Sequence, residues 1–258
     1  MNNKSLNKLA NELTEAFLKN KIIKSLPLKI TKKLIIANKF RKICEEKITD
    51  PVIGYKAGGT SIPLLKKLKE KEPFYASIFK RNLLQNGAKV KINKSNLGIE
   101  LEVCYLIKKS FFKSKNLITK NNINKFISHI APCIEIVGYR QRKYIIKTLG
   151  DLSSDFGANV KFIIGRKIKY KNSNVSDLKS KIICKKLNHI VNGNTNTVYV
   201  NPLNSLKFIL NKLKKDKVQL NKNFYVFTGS TIGVVPILGK GSYVGNIENL
   251  GSVKAIIN

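Results

Sequence analysis

The chain has 258 residues, 43% hydrophobic and 25% charged, which is enough apolar material for a core and excludes disorder from end to end. Lysine and arginine number 49 against 15 acidic residues, a formal net charge of +34 that favours anionic ligands over cationic ones. The lysines are spread along the chain without aromatic interleaving or zinc or RNA-motif spacing, so drift towards Lys, Asn and Ile explains the charge better than a nucleic-acid interface does.

The first residues, MNNKSLNKLANELTEAFLKNK, carry Glu12 and Glu15 and lack the apolar centre of a signal peptide. Leu6, Leu9, Ala10, Leu13, Ala16 and Phe17 recur at helical spacing and predict an amphipathic helix over 3–20. After Pro27, Thr31 is placed to cap a second helix with Leu34, Ala37, Phe40, Ile43 and Cys44 inward. PVIGYKAGGTS (51–61) reads as a short strand carrying Lys56 into a glycine turn, residues 62–72 as helix, and FYASIF (74–79) as an apolar stretch without ionisable groups. Lys56 in an apolar strand needs a carboxylate partner, structural or functional.

In LGIELEVCYLI (97–107), strand alternation puts Leu97, Ile99, Leu101 and Val103 on one face and Gly98, Glu100, Glu102 and Cys104 on the other. Two residues span roughly 6.5 Å of strand, so both carboxylates can aim at one point. Glu135 lies in a second apolar run, APCIEIVGY. Buried carboxylates need partners. An oxygen-preferring divalent cation, Mg²⁺ or Mn²⁺, would satisfy all three, and neutralisation by Lys or Arg is the alternative.

Residues 121–129 predict a short helix with His129 directly after it, and His189 is placed in a loop; neither histidine is assigned a catalytic role. GDLSSDFGAN (150–159) reads as a turn-rich loop, with Asp151 and Asp155 in turn chemistry. Strands follow at 160–165 and, short, at TVYV (197–200). NPLNSLKFILNKLKKD is a helix with a basic last turn, FYVFTGSTIGVV a strand breaking at Thr-Gly-Ser, and GSVKAII a closing strand. Cys44, Cys104, Cys133 and Cys184 show no framework spacing and read as buried thiols in a reducing compartment. No run approaches the roughly 18 apolar residues of a membrane span, so a cytoplasmic protein is expected. The class is α+β.

VIGYKAGGTS, GIELEVCYLI, APCIEIVGYR, DLSSDFGANVKFIIG, NPLNSLKFILNKL and FTGSTIGVVPILGKGSYVGNIENLGSV stand in one order along the chain. They resemble six ordered motifs of the 2-keto-4-pentenoate hydratase family of the fumarylacetoacetase superfamily: G-x-K-x-G-x-T-S, the E-x-E metal strand, the segment with a third metal carboxylate, D-x-x-A-D-N-A-S, the P-L-x-A/S-L helix, and the T-G-S turn with its C-terminal G-L-G-S-V. The resemblance covers the chain from about residue 28. It implies a mixed β-roll of the fumarylacetoacetase C-terminal type, over 51–258, behind an N-terminal helical region at 1–50. It implies Mg²⁺ or Mn²⁺ on Glu100, Glu102 and Glu135. Lys56 would be a charge partner or proton-transfer group at the substrate, with Ser61 and Ser230 as substrate contacts. The implied reaction adds water to a 2-hydroxy-2,4-dienoate, giving a 4-hydroxy-2-oxo acid in the lower steps of aromatic-compound breakdown, in a homo-oligomer.

The chain departs from the family where P-D-F/Y-G becomes Pro73-Phe74-Tyr75-Ala76, D-N-A-S becomes Asp155-Phe156-Gly157-Ala158, and Tyr-x-x-Gln on the early helix becomes Ile35-Ile36-Ala37-Asn38. These losses of polar groups fit a 2-oxo acid decarboxylase of the same superfamily about as well as a hydratase. A C–C hydrolase is disfavoured, because no histidine occurs near residues 25–60. A non-catalytic basic derivative that binds anions or nucleic acid is the reading from another class.

Overall fold

The structure, a computed structural model, describes residues 3–93, 95–141 and 146–258. Helix α1 (Asn3–Lys19) buries Ala10, Leu13, Ala16 and Phe17, the expected apolar stripe. A single turn, α2 (Leu28–Thr31), precedes α3 (Leu34–Glu46). Thr31 does not cap α3. Pro27 starts a turn of its own that absorbs Thr31, leaving Lys33 at the cap position without a side-chain bond, while the Thr31 carbonyl accepts from the Thr148 hydroxyl at 2.8 Å.

Then come β1 (Val52–Gly58), α4 (Ile62–Lys67, shorter than expected), β2 (Phe74–Phe79), β3 (Leu83–Gln85), β4 (Lys89–Val90), β5 (Asn96–Ile107) and β6 (Ile127–Gly138). The helix expected at 121–129 is only a 3-10 turn, Ile123–Phe126, and His129 lies inside β6 with its Nδ1 2.8 Å from Ser128 Oγ. The loop expected at 150–159 begins instead with α5 (Leu149–Ser154). Its first turn is closed by a capping box between Thr148 and Asp151, which offsets the poor helix propensity of Gly150, Ser153 and Ser154.

After β7 (Asn159–Ile164) and β8 (Ile168–Lys169) stand two strands that the sequence reading lacks, β9 (Lys179–Cys184) and β10 (His189–Asn194), so His189 opens a strand. TVYV forms no strand: a 3-10 turn spans Thr195–Thr197, and Tyr199 and Val200 are left-handed at φ 44° and 75°. The chain closes with α6 (Pro202–Lys215), β11 (Phe224–Ser230), β12 (Val235–Pro236), β13 (Gly241–Ile247) and β14 (Gly251–Ile257).

The strands form two mixed sheets. The larger runs β2-β1-β11-β5-β6-β7-β3, with β12 on β5 and β8 on β6; the smaller runs β10-β9-β13-β14-β4. Leu101, Val103, Tyr105 and Ile134 of the larger sheet share one core with Tyr243, Val253 and Ala255 of the smaller and with Leu206, Leu210 and Leu213 of α6. The opposite face carries Cys104, Cys133, Phe162 and Phe227. The N-terminal helices pack over Phe79 and Phe156, so they share a core with the strands behind them. No helix of the described residues is long and apolar enough to cross a membrane.

Candidate active site

Strand alternation and one register place the acids. In the antiparallel β5–β6 ladder Glu100 lies directly opposite Glu135, and Glu102 opposite Cys133, so all three carboxylates emerge on the same side. One oxygen or more from each lies within 4.8 Å of the others. Glu102 and Glu135 are fully buried, and Glu100 is half-buried at the edge of a cleft.

Lys56 of β1 reaches across the sheet. Its ammonium, 3% exposed, donates to Glu135 Oε1 at 2.6 Å and to the Gly157 carbonyl at 3.1 Å. Burial opposes its charge, yet Glu135, Glu100 and Glu102 together hold its pKa above the ordinary lysine range, so Lys56 stays protonated. That geometry answers the sequence question about Lys56: its partner is one of the three candidate ligands.

Among the described residues, three carboxylates share one ammonium in a dry place, so their ionisation is costly. Burial pushes Glu100 up to about 7, reinforced by Glu135. It pushes Glu102 up to about 7, while Lys56 and the Gly229 N–H, 2.9 Å from Glu102 Oε2, pull the other way. It pushes Glu135 up to about 8 against the pull of Lys56. Glu102 Oε1 and Glu135 Oε2 are buried without a hydrogen-bond donor among the described residues. An all-oxygen donor set and two buried carboxylate oxygens without a donor among the described residues fit a hard divalent cation. Lysine neutralisation alone leaves both oxygens unanswered.

The Gly229 N–H reaches Glu102 because Gly229 is left-handed, at φ 105°, where β11 breaks register against β5. A Cβ there would stand 2.1 Å from Thr60 Oγ1, so only glycine fits.

The cleft above Glu100 has a volume of about 450 Å³, within the range of small-ligand sites. Lys56, Ser61 and Ser230 all line it. The Ser61 hydroxyl accepts from the Leu64 N–H at 3.4 Å and so caps α4, and the Ser230 hydroxyl donates to the Gly233 carbonyl at 2.8 Å. Apolar walls come from Leu64, Leu97, Val137, Ile232 and Val234. Phe74 lines the cleft where the family carries an acid, its ring pressed on the Gly58 backbone, and Ala158 lines it as well. Phe156 points elsewhere, stacked on Phe17 with ring centroids 4.2 Å apart.

Sequence reasoning missed Tyr139, Asn192 and Thr197, which also line the cleft. Tyr139 was within reach, since period-two alternation from Glu135 through Val137 puts it on the same face. Burial raises its hydroxyl above the usual tyrosine range, with Asp155 and Glu100 adding to the shift. Asn192 and Thr197 belong to the unforeseen β10 and the turn behind it. Asp155 does more than turn the chain: it binds Arg140 in a buried pair, Oδ1 to Nε at 2.6 Å.

No protein-family model matches the chain. A 2-keto-4-pentenoate hydratase of Burkholderia vietnamiensis is 22% identical over 222 residues, 85% of this chain and 82% of that protein. Another, of Paraburkholderia phymatum, is 22% identical over 206 residues, 79% and 77%. Among solved structures, a 4-oxalocrotonate decarboxylase from Pseudomonas putida G7, complexed with magnesium and adipate, superposes with a TM-score of 0.86 at 18% identity, over 100% of this chain and 99% of that one. A fumarylpyruvate hydrolase from Pseudomonas aeruginosa, in complex with Mn²⁺ and pyruvate, superposes at 0.62 and 13% identity, over 82% and 91%.

The likeness to these solved structures shows that the chain shares their fold. The curated relatives are named 2-keto-4-pentenoate hydratases, and the chain is similar to them over most of its length.

Proposed function

We propose that this chain is a divalent-metal-dependent lyase of small 2-oxo or 2-hydroxydienoic acids, with hydration of a 2-hydroxy-2,4-dienoate as its reaction. The observation that carries the reading is the convergence of Glu100, Glu102 and Glu135, with Lys56, beneath a cleft of small-molecule size. Glu100, Glu102 and Glu135 would hold Mg²⁺ or Mn²⁺, the ions that an all-oxygen set suits. When bound, the ion supplies Lewis acidity towards the carboxylate and 2-oxo end of a chelating substrate.

The chain's own groups do the rest. Lys56, kept protonated, sets a fixed positive charge beside the place where an enolate forms. The Gly229 N–H holds Glu102 in its rotamer, and Glu100 alone of the three opens to the cleft. Apolar walls exclude bulk water and strengthen these interactions.

Decarboxylation of a 2-oxo acid is the second reading, favoured by Phe74 and Ala158. An apolar wall suits a carboxylate leaving as CO₂ and offers no hydrogen bond to orient an attacking water. The test is incubation with Mg²⁺ and 2-hydroxypenta-2,4-dienoate, followed by loss of the dienol absorbance and a product heavier by one water. A parallel run with 4-oxalocrotonate is followed by CO₂ release. Turnover of the first supports hydration, turnover of the second alone selects decarboxylation, and turnover of neither refutes the proposal. Mn²⁺ binding that tightens with oxalate reports the chelation step by itself.

A further inference from the structure

The chain is left-handed at three consecutive residues: Phe156 at φ 50°, Gly157 at 70° and Ala158 at 60°. Only the middle one is glycine, and a bulky residue in this region is a steric outlier that its surroundings must impose. The carbonyl at the centre of that turn is the second acceptor of the Lys56 ammonium. Gly157 also lies along the lysine stem, since a Cβ there would be 3.5 Å from Lys56 Cδ.

Two side chains brace the turn: Asn159 donates from Nδ2 to the Phe156 carbonyl inside it at 2.6 Å, and Arg140 spans its ends. Arg140, 2% exposed, donates from Nη2 to the Asp155 carbonyl and from Nη1 to the Asn159 carbonyl, both at 2.6 Å, so its guanidinium joins the two ends of the turn. Its Nε and its own backbone N–H bind the two Asp155 carboxylate oxygens at 2.6 and 2.7 Å. The same guanidinium lies over the stacked rings of Phe17 and Phe156, 5.4 and 5.9 Å from their centroids. A planar fork can bind all these acceptors together, whereas a lysine ammonium at the same place cannot.

We infer that Arg140 is a positioning residue for Lys56. By clamping residues 155 and 159 it holds the left-handed turn whose Gly157 carbonyl, with Glu135, fixes where the ammonium points. Through Phe17 the clamp ties α1 to the site. The inference rests on the reading of Lys56 as a site residue, and nothing in the family resemblance assigns a role to Arg140.

The test is amine acylation of the native protein by an N-hydroxysuccinimide ester. Modification of Lys56 is read by peptide mass spectrometry against the exposed Lys66 and Lys67 as internal standards. Arg140→Lys and Arg140→Met should each raise Lys56 labelling about tenfold or more relative to wild type. Leu210→Ala, a cavity in the core behind α6, should leave Lys56 protected although it destabilises the fold. Where turnover is measurable, Arg140→Lys should lower kcat with KM nearly unchanged. Lys56 as protected in Arg140→Lys as in wild type overturns the inference, and so does equal labelling in Leu210→Ala. Should Arg140→Met not fold, Arg140→Lys carries the decision. A wild type that turns over neither substrate while the labelling pattern holds refutes the proposed reaction and leaves the clamp standing.

Discussion

Replacing Lys56 by Met removes the one ammonium that, among the described residues, faces the three carboxylates, while nearly conserving volume. Deleting one partner of a buried pair costs about 3–5 kcal/mol where the other stays ionised. Here the carboxylates have another course: with Lys56 in place they already titrate at about 7, 7 and 8, against 4.5 for an ordinary glutamate. The metal-free folded state therefore binds protons that the unfolded state has lost, and its stability falls as pH rises from about 4.5 to about 8. Without the lysine the cluster keeps at least one proton to higher pH. Between about pH 7 and pH 8.5, each proton that the variant retains and the wild type sheds widens the gap by about 1.4 kcal/mol per pH unit, or about 2 kcal/mol in all. Urea unfolding of both proteins across that range, with a chelator present, measures it. Below about pH 6 the two curves should run parallel, and above pH 7 they should diverge. A wild-type-to-variant difference that stays flat with pH would show that Lys56 does not govern the charge of the cluster.

Glu102→Gln keeps an oxygen for the Gly229 N–H but removes a ligand charge; Mn²⁺ affinity should fall on the order of a hundredfold with the fold intact, and calorimetry showing unchanged affinity would remove Glu102 from the site. Mn²⁺ affinity should rise from about pH 6 to about pH 8 as the three carboxylates shed protons, with proton release visible as a buffer-dependent binding enthalpy; a pH-independent affinity contradicts the cluster. Gly229→Ala should destabilise the protein by about 1–3 kcal/mol through its left-handed φ and the clash with Thr60, and should weaken Mn²⁺ as Glu102 loses its donor. Adding Thr60→Ala should recover part of the stability, and no recovery would place the strain elsewhere.

Local periodicity is what the sequence determined by itself. The Glu-x-Glu alternation put two carboxylates on one face of β5 wherever that strand went, and the i, i+3, i+4 pattern of Leu203, Leu206, Leu210 and Leu213 specified α6 before any partner was known. Elements whose signal is not local stayed hidden. β9 and β10, KSKIIC and HIVNGN, carry lysines, asparagines and a glycine where strand formers would signal a strand and so read as loop, and α5 depends on a capping box more than on propensity. Only the tertiary structure decided what those carboxylates meet. The β5–β6 register set Glu135 against Glu100, a placement that a one-residue slip would turn to the other face. The path of β1 brought Lys56 across 79 residues of chain to Glu135, and the Arg140 clamp joined two carbonyls that no spacing rule relates. Pairing between distant segments is fixed by how cores pack and ladders register, and that information belongs to the assembled fold rather than to any window of the chain.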